Sequence, residues 1–118
     1  MRTTIPSYLR LFRQCLLLGF LLTPVMAVGQ DSDFENTLRL AERGDADAQF
    51  NLGNRYANGE GVPRNDVTAY AWWNIAAASG HEDAIENRSI IEESMTPAQI
   101  AEAQQLSTEI FERIQQGN

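Results

Sequence analysis

The sequence predicts an all-α protein built from antiparallel helix pairs, and three observations support that fold class. Glycine and proline divide the chain beyond its first 30 residues into about five helical stretches, none with the alternation of a strand. One helix-turn-helix unit is almost complete between Gly44 and Gly80. A partial second copy follows, because Gly80 and Ala84 lie 36 residues after Gly44 and Ala48. An α/α helical-hairpin solenoid fragment is therefore expected.

The first helix is predicted over residues 33–43. Ser32 precedes it and Glu35 follows three residues later, which is a capping-box pattern. Its apolar side chains share one helical face: Phe34, Leu38 and Ala41. Gly44 then suits the left-handed conformation that ends many helices.

The second helix is expected over residues 46–58, before a tight reversal. Its packing stripe repeats every four residues: Ala48, Leu52 and Tyr56. Gly53 costs about 1 kcal/mol relative to alanine inside a helix, so we expect close approach of a neighbouring helix to compensate. The reversal runs from Gly59 through Gly61 to Pro63, and its apolar Val62 is expected to turn back under the helix pair.

The third helix, over residues 65–79, alternates very large and very small side chains, as packed helices require. Its packing residues are Ala69, Trp72, Trp73, Ala76 and Ala77, and Gly80 ends it. The two tryptophans could form an aromatic platform for sugars, but helix packing explains their positions better. One helix pair cannot bury such a face alone, so neighbouring helices are required.

The last two helices are predicted over residues 82–94 and 97–115. The fourth has the apolar set Ala84, Ile85, Ile91 and Met95. The fifth opens with an N-cap at Thr96, a proline at Pro97 and a capping-box glutamine at Gln99. Its expected buried residues are Ile100, Ala103, Leu106, Ile110, Phe111 and Ile114. A faded copy followed by an amphipathic helix is typical of the terminal cap of a repeat array.

The start of the chain has the pattern of a secretory signal peptide. Its first 13 residues hold three arginines and no acid, an apolar run begins at Cys15, and small residues stand at Ala27 and Gly29. About 14 apolar residues are fewer than the roughly 20 that span a bilayer. We therefore expect cleavage after Ala27 or Gly29, with a signal peptide over 1–27 and one repeat domain over 28–118. A retained membrane anchor is the alternative.

The net charge of the chain argues against some classes of binding partner. The chain has 9 basic and 16 acidic residues. Three arginines leave with the predicted signal peptide and no acid does, so six cations face 16 acids and the net charge becomes −10. The single cysteine also leaves, so no disulfide is expected. This balance argues against nucleic acid and anionic membranes as partners. A periplasmic or secreted protein without stable membrane insertion is expected.

The repeat resembles the Sel-one-like repeat (SLR), a variant of the tetratricopeptide solenoid. The residues that match its pattern are Ala48, Leu52, Gly53, Tyr56, Gly59, Gly61, Val62, Ala69, Trp72, Ala76, Ala77 and Gly80. Residues 33–43 look like the second helix of a truncated preceding repeat, and residues 95–104 are similar to the tail of many bacterial members. Asn65 replaces the usual aspartate and is still expected to cap the third helix. The resemblance implies one full SLR, partial flanking repeats and a C-terminal capping helix, in a right-handed solenoid fragment.

The resemblance also implies binding of other proteins on a concave face lined by the first helix of each pair. The polar face of the second helix is the candidate: Asn51, Asn54, Arg55 and Asn58 lie at i, i+3, i+4 and i+7. Amides and one arginine can hydrogen-bond a peptide backbone and an acidic group. The same residues would also suit a solvated helix face.

No catalytic residue, cofactor or metal site is predicted. His81 alone cannot complete a metal site, which takes three or four ligands, and is expected to be an ordinary surface histidine. The acidic clusters are Asp45/Asp47, Glu82/Asp83/Glu86 and Glu92/Glu93. They are expected on outward faces, where early acids favour the helix dipole.

The sequence thus predicts an exported, non-enzymatic module, an adaptor or regulator that binds a protein or peptide. Self-association as a structural envelope component is one alternative. A small hydrolase is another, less favoured because family members once linked to that activity are disulfide-bonded.

Overall fold

Five helices follow one another along residues 32–117, which are the residues that the computed structural model describes. They are α1 (Ser32–Glu42), α2 (Ala46–Asn58), α3 (Asp66–Ala78), α4 (Glu82–Glu92) and α5 (Pro97–Gly117). No strand occurs in this part of the chain. The all-α prediction is confirmed, and every helix boundary lies within about two residues of its predicted place, which is the usual uncertainty of helix ends. The predicted signal peptide lies outside the described residues.

Local sequence signals begin and end the helices of the central pair. The Asp45 side chain accepts a hydrogen bond from the Ala48 N–H, at 2.9 Å, and so caps α2. The Asn65 side chain caps α3 in the same way through the Thr68 N–H, at 3.1 Å, so the asparagine does replace the usual aspartate as a cap. Gly59 ends α2 with a φ of +72°, a conformation that side chains with a Cβ rarely adopt.

The capping box of α5 is also formed. The Gln99 N–H donates to the Thr96 hydroxyl at 3.2 Å, and the Thr96 N–H donates to Gln99 Oε1 at 2.9 Å. At α1 the prediction differs by one residue, because Ser32 is the first helical residue instead of the residue before the helix.

Helix α3 lies at the centre of the fold. It packs against α2, α4 and α5, whereas α4 and α5 make few direct contacts with each other. Its buried residues are Ala69, Tyr70, Ala71, Trp72, Trp73, Ile75 and Ala76. Because three helices surround it, burial extends around most of α3 instead of along the one face that the sequence predicted.

The main core joins α1, α2, α3 and α5. Its buried members are Phe34, Ala41, Ala48, Leu52, Ala71, Trp72, Ile75, Ile110 and Ile114. Leu38, Tyr56 and Val62 pack at its margin, so Val62 turns back under the helix pair as predicted. The C-terminal half of α5 therefore reaches as far as α1, because Ile110 and Ile114 share this core with Phe34 and Ala41.

Two residues that were predicted to pack are exposed instead. Ile85 on α4 is 41% exposed and Phe111 on α5 is 46% exposed. The cause is the position of α5, which packs along α3 instead of closing onto α4. The second helix pair therefore lacks the cover that α3 provides for α2.

Candidate functional site

Helices α2 and α4 each pack mainly against α3, and two polar side-chain contacts link them along one surface. Asn87 Nδ2 on α4 donates to Asn54 Oδ1 on α2 at 3.3 Å. His81 Nε2, at the start of α4, lies 3.1 Å from Asp47 Oδ1 on α2. The outward residues of this surface are Asp47, Asn51, Arg55 and Asn58 of α2 and Asp83, Asn87 and Ile90 of α4. We refer to it as the α2–α4 face.

Asn54, one of the predicted binding residues, forms hydrogen bonds within the fold. Its Oδ1 atom accepts hydrogen bonds from Trp73 Nε1 at 3.2 Å and from Asn87 Nδ2 at 3.3 Å. The Trp73 indole N–H also faces the Phe50 carbonyl at 3.2 Å. Asn54 thus satisfies a buried indole and ties α2 to both α3 and α4. The oxygen of its amide is therefore already engaged within the fold.

The other three predicted residues remain accessible to a partner. Asn51 and Asn58 are exposed, and Arg55 is half-buried with its guanidinium beside Gly61. Among the side chains of residues 32–117, that guanidinium forms no ion pair. The fold therefore brings Asn51, Arg55 and Asn58 together on the α2–α4 face, where they remain the predicted binding residues.

Helix α4 adds two residues that the sequence analysis did not select. The 36-residue spacing places Asn87 at the position of Asn51, and Ile90 at that of Asn54. Ile90 is 59% exposed, so an apolar side chain stands where the first copy has an amide. The repeat spacing could have identified both residues, but the similarity between the copies is weak there.

His81 is not the ordinary surface histidine that was predicted. Its side chain is 14% exposed, and its Nδ1 atom accepts the Ala84 N–H at 3.3 Å, which caps α4. Its ring stacks on Phe50 with centroids 4.6 Å apart. The prediction of a surface position was wrong because Asp47 and Phe50, which contact the ring, belong to the preceding copy of the repeat and are distant in sequence.

One residue of the acidic clusters caps a helix, one accepts a hydrogen bond from a side chain, and the others are exposed to solvent. Asp45 caps α2, and Glu92 Oε1 accepts a hydrogen bond from the Tyr70 hydroxyl at 2.6 Å. Burial raises the pKa of Tyr70, and the hydrogen bond to Glu92 raises that pKa further. The remaining members are exposed: Asp47, Glu82, Asp83, Glu86 and Glu93.

A groove of about 220 Å³ lies between α3 and α5. It is lined by Asn74, Ile75, Ala78, Ser107, Thr108 and Phe111. Asn74 Oδ1 accepts from Arg88 Nη1 at 2.7 Å, and its Nδ2 donates to Ser107 Oγ at 2.9 Å. These polar groups bond to one another and so link α3 to α4 and α5.

Two further properties concern residues 32–117 as a group. They contain no cluster of three or more His, Cys, Asp or Glu that could hold a metal ion. None of their helices combines the length and the apolar character needed to cross a membrane.

Comparison with known proteins places this geometry among repeat proteins. Residues 46–81, which hold α2, the reversal and α3, match the model of the Sel1 repeat. A crystal structure of a protective antigen present in uropathogenic Escherichia coli strains, which displays an SLR fold, is similar with 35% identity and a TM-score of 0.63. The similarity covers 66% of this chain, which spans 17% of the length of that protein. No curated protein matches the chain.

Proposed function

The chain is a Sel1-like repeat (SLR) protein, and from this premise we propose that it acts after export by binding a protein or peptide on the α2–α4 face. Sel1 repeats generally mediate protein–protein interaction and are typically non-enzymatic scaffolds. The observation that carries the proposal is the Asn54–Asn87 hydrogen bond, which joins the faces of two consecutive repeat helices. A partner could therefore contact both helices at once.

The chemistry of the face suits a peptide backbone together with one apolar side chain. Asn51 and Asn58 offer amides that both donate and accept hydrogen bonds, as a peptide backbone requires. Arg55 adds a cation that can pair with an acidic group of the partner. Ile90 is 59% exposed and offers an apolar contact one helix away.

The size of the face favours a short segment over a whole protein surface. Thirteen residues give α2 a length of about 20 Å, and the adjoining side chains of α4 add roughly 10 Å of width. The resulting patch of a few hundred Å² is smaller than the roughly 800 Å² that each partner contributes to a standard interface. At about 3.3 Å per residue, an extended peptide of roughly six residues would cover it.

Export is the second part of the proposal. The basic, apolar and small-residue order of the first 29 positions supports removal of residues 1–27, leaving the repeat domain 28–118 in the periplasm or outside the cell. N-terminal sequencing of the native protein tests this. The expected sequence begins near Val28, and an intact Met1 in a cytoplasmic fraction would contradict export.

Self-association as a structural envelope component is a second candidate, favoured by the exposed apolar residues Ile85 and Phe111. Ile85 lies on α4 and Phe111 on α5, and neither residue is fully covered by another helix. A measurement of mass in solution distinguishes the two candidates. A monomer favours binding of another protein, and a concentration-dependent assembly that Phe111→Ser removes favours the structural component.

Site-specific photo-crosslinking in the native host tests the binding face. Crosslinkers at positions 51 and 58 project from α2 without disturbing a packing contact, whereas position 54 would break the bonds to Trp73 and Asn87. A crosslinker at Glu112, exposed on α5, is the matched control. We expect one protein to be captured from positions 51 and 58 and not from position 112. Capture from position 112 alone would exclude the α2–α4 face as the working surface.

A further inference from the structure

We propose that His81 is a proton-sensitive joint between α2 and α4, which gives up its cap on α4 when it is protonated and keeps its contact with Asp47. Three contacts hold this side chain: the Ala84 N–H on Nδ1, Asp47 on Nε2, and the Phe50 ring against its face. It is the only histidine of the chain. Any response of the protein to histidine protonation therefore arises at this joint.

The first contact exists in only one protonation state. Nδ1 at 3.3 Å from the Ala84 N–H must be an acceptor, so the neutral ring carries its proton on Nε2. That tautomer also lets Nε2 donate to Asp47 Oδ1 at 3.1 Å. Protonation of Nδ1 leaves the ring with two donors, and the cap bond to Ala84 can no longer form.

The first turn of α4 then yields more readily than the ring. The stack on Phe50 and the bond to Asp47 hold the ring from α2, and protonation makes the Asp47 bond charge-assisted. The N-terminus of α4 carries the positive end of its dipole, which repels an imidazolium. The ring therefore stays on α2 while the Ala84 N–H turns towards solvent.

The charged groups around His81 do not replace the lost cap. Asp47 from α2 has a side chain that is 89% exposed and bonds to Nε2, not to the Ala84 N–H. Glu82 and Asp83, in the first turn of α4, are exposed acids that attract the imidazolium, and neither side chain bonds to the Ala84 N–H. The adjoining end of α3, residues 76–79, carries no ionisable side chain.

The joint lies at one end of the α2–α4 face. Without the cap, the two helices are still tied by the hydrogen bond between Asn54 and Asn87. Movement of the first turn of α4 would alter the position of Asp83 relative to Asp47, whether or not a partner is bound. Protonation would therefore change the shape of this face at its N-terminal end.

Amide hydrogen exchange in the purified protein tests the inference at single residues. The measurement compares Ala84 at about pH 7.5 and about pH 5, a range in which histidine titrates, after correction for intrinsic exchange rates. Thr68 is the internal control, because Asn65 caps it with a group that does not titrate in this range. In the wild type we expect the protection of Ala84 to fall several-fold on acidification and that of Thr68 to stay constant.

Two variants separate the proton from the cap. His81→Asn keeps a capping acceptor but has no proton to gain, so Ala84 should stay protected at both pH values. His81→Ala removes the cap, so Ala84 should be unprotected at both. The proposal is overturned if Ala84 in the wild type keeps its protection at about pH 5, or if His81→Asn shows the same loss as the wild type.

Discussion

The indole of Trp73 lies directly against the backbone of Gly53. A Cβ atom at position 53 would collide with Cδ1 and Nε1 of that ring. Glycine inside a helix costs about 1 kcal/mol relative to alanine, and here it permits the approach of α3 on which the second core cluster depends. That cluster contains Ala69, Trp73 and Ala84.

The first prediction concerns this contact. Gly53→Leu should lower the free energy of unfolding by about 1–3 kcal/mol, because the added side chain must displace the Trp73 ring or separate α2 from α3. Unfolding by denaturant, followed by circular dichroism, measures the change.

The repeat provides a matched control for that variant. Ser89 lies 36 residues after Gly53, on the exposed side of α4 that α5 leaves uncovered. Ser89→Leu should therefore change the free energy of unfolding by only about 0.5 kcal/mol. Equal losses at the two positions would contradict the close-approach explanation.

The second prediction concerns the main core. Trp72 is 4% exposed, so Trp72→Ala should cost about 3–5 kcal/mol of unfolding free energy. Small domains have a total stability of only about 5–15 kcal/mol, so this variant should be close to unfolding. Phe111→Ala removes an aromatic side chain that is 46% exposed and should cost much less. A Trp72→Ala melting temperature within a degree or two of the wild type would refute the packing assignment.

The third prediction concerns alkaline pH. Burial and the hydrogen bond to Glu92 raise the pKa of Tyr70 above its ordinary value of 10.0. The folded state thus holds the phenol proton more tightly than the unfolded state does. This contribution to stability is complete below about pH 10, the ordinary pKa of tyrosine, and is lost as the pH rises through the folded-state pKa.

Tyrosinate absorbance measures that ionisation, and Tyr70→Phe identifies its signal. The wild type should lose stability above about pH 10 more steeply than Tyr70→Phe, which has no phenol proton at that position to lose. Burial also raises the pKa of Tyr56, which is common to both proteins. If Tyr70 ionised at its ordinary pKa while the protein remained folded, the role assigned to burial and Glu92 would be wrong.

The fourth prediction concerns the binding face. Arg55→Glu combined with Asn51→Ala should weaken binding of the partner segment by about 10- to 150-fold, because one lost charge-assisted hydrogen bond typically costs roughly 1.5–3 kcal/mol. Titration of the purified protein with that segment measures the affinity. Asn54 is left unchanged because its amide bonds to Trp73 and Asn87, and its loss would confuse folding with binding.

A charge reversal elsewhere is the control for this experiment. Arg113→Glu makes the same chemical change at an exposed position of α5 and should leave the affinity nearly unchanged. Glu92 would be a poor control because it bonds to Tyr70. Normal binding by the Arg55/Asn51 variant together with a loss in Arg113→Glu would exclude the α2–α4 face.

Local sequence signals predicted the helices well, and distant contacts accounted for the errors. The bounds of α2, the Asn65 cap and the Thr96–Gln99 capping box depend on residues within about four positions of one another, so the sequence displays them directly. The state of Ile85 depends on whether α5 closes onto α4. No residue near Ile85 records that choice, because α5 packs against residues of α3 that are distant from Ile85 in the sequence.

The sequence by itself therefore determined the fold class, the order and limits of the helices, and the residues of the repeat that must pack. These follow from periodicity, caps and turn glycines, which act over one or two helical turns. Only the tertiary structure decided that Asn54 is engaged with Trp73 and Asn87, that His81 joins two helices, and that Ile90 shares the face of Asn51. The first two depend on contacts between side chains 19 or more residues apart in the chain, such as Asn54 and Trp73. The third depends on which surfaces remain exposed once the helices have packed. Packing between helices is a property of whole surfaces, and no short stretch of sequence specifies it.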